Sequence, residues 1–446
     1  MSDRRGETLD ARQHRMLLWL MCGAASWRWL LSARTPVPSE DGVNYLWMAE
    51  QFADLQVAAA LSEPFSPLWP LLLSVPIAFG VDPLVAAKVL GSVVGALALW
   101  PIAAIAERLR PGAGLPAAAL AATSSLLART AAEVYTEPLF VLIAAVALYC
   151  GLTNRVRWLG VAAATAFWVR PEGVLLVVPF LLLGWRKNWS AVLWVVAGVA
   201  LLGLVRMLCG HGFDPVPKLA FHEARADLGD ERGAIFGNLL AVPTAYMEAF
   251  LVAGCLAFLA LLPPRPRGSG ALWWTLLCGV AVICSFVVRR RFFLGWSAAV
   301  LPLAGVGVAG LGRIGPRGRE LLLAAACSFD LWTAWHGTID EDRIAERYIG
   351  QQLAADLVPG EVVAGDLTRV LYFAGMRPLP ARHFNADQLI EMASAPDVRY
   401  VVLSSRSKRG VHDEVVAGLP EFTRYAMPRQ LEDLAEERGV TVLVRR

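Results

Sequence analysis

Ser66-Pro67-Leu68-Trp69-Pro70-Leu71-Leu72-Leu73-Ser74-Val75-Pro76-Ile77-Ala78-Phe79-Gly80-Val81 is the run on which the topology turns. It is apolar enough to enter a membrane, but it holds three prolines and is short against the about 20 apolar residues a bilayer crossing needs. Counting it as a span or leaving it out reverses the side on which every later loop falls. The excess of lysine and arginine on cytoplasmic loops decides between the two. With the run left out, spans are expected near 16–33, 84–106, 113–129, 136–153, 157–171, 173–185, 189–207, 245–262, 271–288, 296–312 and 320–335. The inside segments are then the N-terminal tail 1–15, Glu107-Arg108-Leu109-Arg110, Asn154-Arg155-Val156-Arg157, Arg186-Lys187, Arg265-Pro266-Arg267 and Arg313 to Arg319. Every one is basic. Counting 66–81 as a span would place most of them outside. The run and a second helix near 43–57 are therefore expected to lie along the outer surface, with Trp47 and Trp69 suited to the interface.

The composition agrees. Of 446 residues, 56% are hydrophobic and 18% charged, below the about one quarter charged of soluble domains. The expected fold class is an α-helical polytopic membrane protein of about eleven transmembrane helices, N-terminus cytoplasmic, spanning 16–336, with a first outer loop 34–83. A net charge of +3 is too small to suggest a nucleic-acid partner, and none is expected. The seven cysteines show no CxxC spacing and are read as small buried hydrophobes. The histidines show no metal-ligand spacing. From 337 to 446 the charge density becomes ordinary. Helical stretches at Ile344–Asp356 and Ala386–Ser394 alternate with strands at Glu361–Gly365, Arg399–Leu403 and Val440–Val444. That alternation predicts a small extracytoplasmic α/β domain, and it carries no phosphate loop or nucleophile elbow.

The outer segments gather the ionisable residues. Ser39-Glu40-Asp41-Gly42-Val43-Asn44-Tyr45 sets two adjacent carboxylates just after the first span. A partly desolvated carboxylate there can act as a general base; the plainer alternative is a solvated turn or a helix N-cap. Glu137, followed by Pro138, stands at the start of a span, where capping competes with function. Arg170-Pro171-Glu172-Gly173 joins two spans, so Arg170 and Glu172 either pair with each other or divide, Arg170 taking an anion and Glu172 orienting it. Lys218 closes the proline-rich stretch Gly212-Phe213-Asp214-Pro215-Val216-Pro217. Arg289, Arg290 and Arg291 break the charge rule by falling outside, which suits an anionic partner such as a lipid-linked phosphate. Arg28 and Arg206 lie near the outer ends of spans, where snorkelling is the default expectation.

Asp41-Gly-x-x-Tyr45, Glu63-Pro64-Phe65-Ser66-Pro67-Leu68, Thr136-Glu137-Pro138-Leu139, Arg170-Pro171-Glu172-Gly173 and Arg291-Phe292-Phe293 with Leu301-Pro302-Leu303 occur in an order that resembles the GT-C superfamily. These are membrane glycosyltransferases of the protein O-mannosyltransferase, aminoarabinose transferase and arabinosyltransferase kind. The resemblance implies a polyprenyl-phosphate sugar donor, a lipid, glycan or protein acceptor, and inverting transfer at the outer face of the inner membrane. It makes Asp41 the base, with Glu40 or Glu137 assisting or holding a divalent cation (Mg or Mn) in members that use one. Arg170, Lys218, Arg290 and Arg291 would meet the departing phosphate, with Glu172 and Tyr45 orienting. The sequence departs from the family in carrying Glu-Asp in place of a spaced aspartate pair, and in lacking the polar residue after the prolines of the 212–218 loop. Two other functions are open: a transporter or flippase of a lipid-linked saccharide, and a non-catalytic envelope assembly protein. A transporter would place ionisable groups near mid-membrane; here they collect at the rim.

Overall fold

The computed structural model of the protein describes residues 10–217, 235–263, 266, 268–284, 290–337, 341–378, 385–404 and 411–446; the side chains of 235–237, 251, 290, 313, 341 and 342 are outside the description. The chain divides into two compact units, Met1–Arg34 with Met48–Gly337, and Thr35–Trp47 with Thr338–Arg446.

The first unit is a helical bundle. Its helices are α1 (Ala11–Ala33), the end of α2 (Glu40–Ala53), α3 (Val57–Leu61), α4 (Leu68–Ala78), α5 (Pro83–Leu97), α6 (Leu99–Leu109), α7 (Gly114–Thr123), α8 (Ser125–Ala132), α9 (Glu137–Leu152), α10 (Val156–Val169), α11 (Val178–Leu208), α12 (Ile235–Phe258), α13 (Ser269–Cys284), α14 (Arg290–Phe293), α15 (Ser297–Gly310) and α16 (Gly315–His336). Local chemistry starts them. Asp10 and Gln13 form a reciprocal capping box on α1, and Asp82 caps α5 by accepting from the Val85 amide, with Pro83 in the first turn. Glu107 accepts from the amides of Gly112 and Gly114 at 2.9 and 3.0 Å, so this carboxylate within the basic segment 107–110 serves the entry to α7.

Small residues let the helices approach closely. A Cβ on Gly305 of α15 would lie 2.6 Å from the Ala117 methyl of α7, and one on Gly160 of α10 would lie 2.7 Å from the Ala191 carbonyl of α11. Among the described residues three stretches are long and apolar enough to cross a membrane by themselves: Pro83–Leu109, Pro171–Leu208 and Arg291–Gly310. Asn238–Phe250 with Val252–Leu261 adds a bent pair. The other expected spans coincide with shorter or more polar helices, because breaks such as the one at Ser124, between α7 and α8, divide runs that hydropathy alone joins.

Three sequence expectations change. Trp69 is 1% exposed and packed inside protein, so it serves the core and cannot act as an interfacial anchor. Arg28 and Arg206 are 1% and 5% exposed; neither snorkels. Arg28 donates to the Ala121 carbonyl at 3.0 Å, and Arg206 donates to the carbonyls of Leu61 and Glu63 at 2.7 and 3.5 Å, tying α11 to the end of α3. The cysteines are all free, with Cys150 and Cys284 buried but Cys22 and Cys255 on the outer surface of the helices.

The second unit is a four-stranded sheet with helices on both faces. Its elements are α17 (Glu341–Asp356), β1 (Val362–Gly365), α18 (Thr368–Phe373), α19 (Ala386–Ala393), β2 (Val398–Ser404), α20 (Val411–Gly418), β3 (Phe422–Arg424), α21 (Arg429–Arg438) and β4 (Val440–Arg445). The order is β1-β2-β4-β3, parallel between β1 and β2 and antiparallel elsewhere. Strand alternation divides the core. Tyr400 and Val402 pack with Ile349, Leu353 and Val370 on one face, while Val401 and Leu403 pack with Leu389, Val415 and Phe422 on the other. Gly439 ends α21 in the left-handed region and turns the chain into β4. The strands and helices expected from the sequence of this domain are all present. The same unit includes Thr35–Trp47, and with it the first turns of α2.

Candidate active site

Within the bundle, a polar cluster forms where α9 begins and α10 ends. Val134 precedes it with φ of 62°, a left-handed conformation that a β-branched residue rarely adopts. That reversal is followed by Thr136 at the N-terminus of α9, and it puts Glu137 and Pro138 in the first turn. The Glu137 side chain is 3% exposed. Its Oε1 accepts from Arg170 Nη1 at 2.7 Å, and its Oε2 is buried with no hydrogen-bond partner.

Arg170 terminates α10 in an extended conformation and leads into the 3-10 turn Pro171–Val177. A Cβ on Gly173 would collide with the backbone of Ala166 and Phe167, so glycine lets this turn fold back against the end of α10. The other arm of the Arg170 fork, Nη2, donates to Glu172 Oε1 at 3.2 Å. The structure shows the pairing alternative for this motif: Arg170 pairs with its neighbour Glu172 and, more tightly, with Glu137 from another helix.

Arg291, on α14, brings a second cation. Its Nη1 is 3.4 Å from the Tyr135 hydroxyl, and its guanidinium lies 5.5 Å from the Tyr135 ring and 5.3 Å from the Phe292 ring. Glu137, Arg170 and Glu172 are therefore brought together beside Phe140, where the Arg170 guanidinium sits 5.9 Å from the ring, while Arg291 packs on Tyr135, two residues before Glu137. Tyr135 is a residue the sequence reading missed, because nothing local links it to Arg291, 156 positions away. Lys218 lies outside the described residues, as do Arg289 and the side chain of Arg290.

Glu40, Asp41 and Tyr45 belong to the other unit. Ser39 Oγ accepts from the Gly42 amide at 2.9 Å and the Ser39 carbonyl accepts from Val43 at 3.0 Å, so Ser39 performs the capping that the sequence left open to Asp41. Glu40 and Asp41 occupy the first turn of α2, where the helix dipole favours carboxylates. Glu40 Oε1 lies 3.8 Å from Arg369 Nη1. Tyr45 is 6% exposed. Arg369 is a residue the sequence reading missed. It lies more than 300 positions along the chain, and no local pattern links it to Glu40.

Among the described residues no three His, Cys, Asp or Glu converge as metal ligands. Glu137 and Glu172 share Arg170 between them, an arrangement that does not supply the six or so oxygens a hard divalent cation takes.

No protein-family model matches the chain, and no curated protein sequence matches it. Solved structures do. ArnT from Cupriavidus metallidurans bound to undecaprenyl phosphate superimposes with a TM-score of 0.66 at 14% identity, over 96% of this chain and 97% of that one. The same protein in its apo state gives 0.61 at 15% identity over the same shares. The bundle, the sheet-bearing unit and their order along the chain are those of a GT-C-like fold.

Proposed function

We propose that the protein is a multi-pass inner-membrane glycosyltransferase. It moves a sugar from a polyprenyl-phosphate donor to an acceptor hydroxyl at the outer face, with inversion. The observation that carries this reading is the fold likeness, over 96% of the chain, to a protein solved with undecaprenyl phosphate. Local support comes from the buried Glu137 carboxylate, paired with the half-buried Arg170, which is costly to keep in an apolar bundle without a use.

In this mechanism Asp41 takes the proton of the acceptor hydroxyl as its oxygen attacks the anomeric carbon. The bond from that carbon to the phosphate oxygen breaks, and its electron pair leaves with the polyprenyl phosphate. A single displacement from the opposite face inverts the centre. Asp41 is preferred to Glu40 as base because Glu40 faces Arg369. Arg291, Lys218 and Arg290 meet the charge developing on the leaving phosphate. Arg170 has a weaker claim, since two carboxylates already hold its fork and offset its charge; it orients Glu137. The buried, unpartnered Oε2 of Glu137 can accept from a donor-sugar hydroxyl. Tyr45 and Glu172 act as orienting groups.

The test is transfer by purified protein in lipid, supplied with labelled polyprenyl-phosphate sugars and a panel of acceptors. Asp41→Asn is expected to lower transfer by about a hundredfold or more, the range of a lost general base. Full transfer by that variant would remove Asp41 from its role.

A further inference from the structure

The segment that carries Asp41 is gripped by arginines from the C-terminal part of its own unit. Arg347, on α17, donates to the Pro36 carbonyl at 3.0 Å. Arg377, past the end of α18, stands 5.1 Å from the Trp47 ring. Between these, Arg369 in the first turns of α18 faces Glu40 at 3.8 Å. Arg369 is itself locked. Its Nε and Nη2 form a two-pronged bond with Glu346 of α17, at 2.7 and 2.9 Å, in a pair whose side chains are only 9% and 11% exposed. This leaves Nη1 aimed at Glu40, whose side chain is 30% exposed.

Consecutive residues on a helix stand about 100° apart around its axis. Holding Glu40 against a fixed cation therefore sets the rotation of the first turn of α2, and with it the direction of Asp41. We propose that Arg369, braced by Glu346, is a positioning residue for Asp41, acting through Glu40. This rests on the reading of Asp41 as the base. It gives the soluble unit a part in catalysis without touching substrate.

Two measurements test it. In transfer assays, Glu40→Gln and Arg369→Gln are each expected to lower kcat about tenfold with the donor KM held within about twofold. The double variant should be no worse than the poorer single one, because both break the same contact. Arg369→Lys should recover part of the loss. Independent, multiplying effects, or a loss confined to KM, would overturn the proposal. Arg369→Gln leaves Glu346 buried without its partner and risks misfolding; Glu40→Gln breaks the contact from its more exposed side and avoids that risk.

The second measurement needs no activity. Amide exchange at Gly42 and Val43, which bond to Ser39, is expected to quicken about tenfold in both single variants, as local opening of the turn becomes easier. Unchanged protection would overturn the positioning role even if transfer fell. Should the unaltered protein transfer no sugar while exchange responds as expected, the glycosyltransferase reading fails and the positioning contact stands.

Discussion

Arg170 shows how much one side chain can hold. Its guanidinium joins a nearly fully buried carboxylate from α9 to a second one two residues along its own chain. Removing one partner from such a pair strands the other. Arg170→Gln is expected to cost about 3–5 kcal/mol, because it leaves Glu137 buried without a counter-charge. Adding Glu137→Gln should restore much of that loss, and thermal unfolding in detergent would show it. If the double variant were as unstable as the single one, Glu137 would not be the group that depends on Arg170. The candidates at this scale were legible because charged residues are scarce in apolar runs and each was conspicuous. Apart from Glu172 beside Arg170, their partners were not legible. Arg28 and Arg206 read as snorkelling because sequence position gives distance from a helix end, whereas the structure buries both against backbone carbonyls. Arg28 Nε and Nη1 are buried with no hydrogen-bond partner, and nothing in a linear sequence signals that.

At the scale of elements, hydropathy located the helices well but missed breaks such as the one at Ser124, inside the expected span 113–129, while charge found the one in α11. The expected spans 173–185 and 189–207 fall on either side of a kink within Pro171–Leu208. That stretch is far longer than the about 20 residues of a crossing, and it is broken at Gly184, where φ and ψ of −176° and 70° leave the helical region. Arg186 and Lys187 lie just beyond, so the charge reading divided the run at the same place. What stabilises the break is Asn188, whose Nδ2 donates to the carbonyls of Phe180 and Gly184 at 2.7 and 3.0 Å. Asn188→Leu is expected to destabilise the protein by about 1–3 kcal/mol, since both buried carbonyls lose that donor. A melting temperature equal to that of the unaltered protein would show that other donors satisfy them. A bend of this kind escapes periodicity because the amide that permits it sits a full turn from the residue that bends.

At the scale of the whole molecule, apolar composition and ordered motifs together pointed to the fold that the solved structures support. The α/β unit was legible from its alternation of strands and helices. That residues 35–47 are part of the same compact unit was not, because ion pairs between distant segments leave no trace in local composition. This unit also has a pH dependence of its own. Burial, together with the hydrogen bond to Asp356 and its charge, raises the Tyr425 hydroxyl above its ordinary range. A raised value in the folded state stabilises fully below the unfolded value of about 10 and is lost as pH climbs through the folded one. The unit should therefore keep this contribution at neutral pH and lose it in strong alkali. Tyr425→Phe should flatten the alkaline fall in a pH series of unfolding curves. An unchanged slope would assign it to other groups.

The bond from Arg347 to Pro36 joins residues 311 positions apart. A ribosome adding about 5–20 residues per second makes the second partner roughly 15–60 s after the first. During that interval every helix of the bundle after α1 is synthesised while the stretch bearing Asp41 still lacks its arginines. The carboxylates can be set in place only when translation is nearly finished, so a chain that stalls or is cut before residue 347 would enter the membrane with its proposed base unanchored. Late synthesis of the arginines is then itself the step that fixes the proposed base.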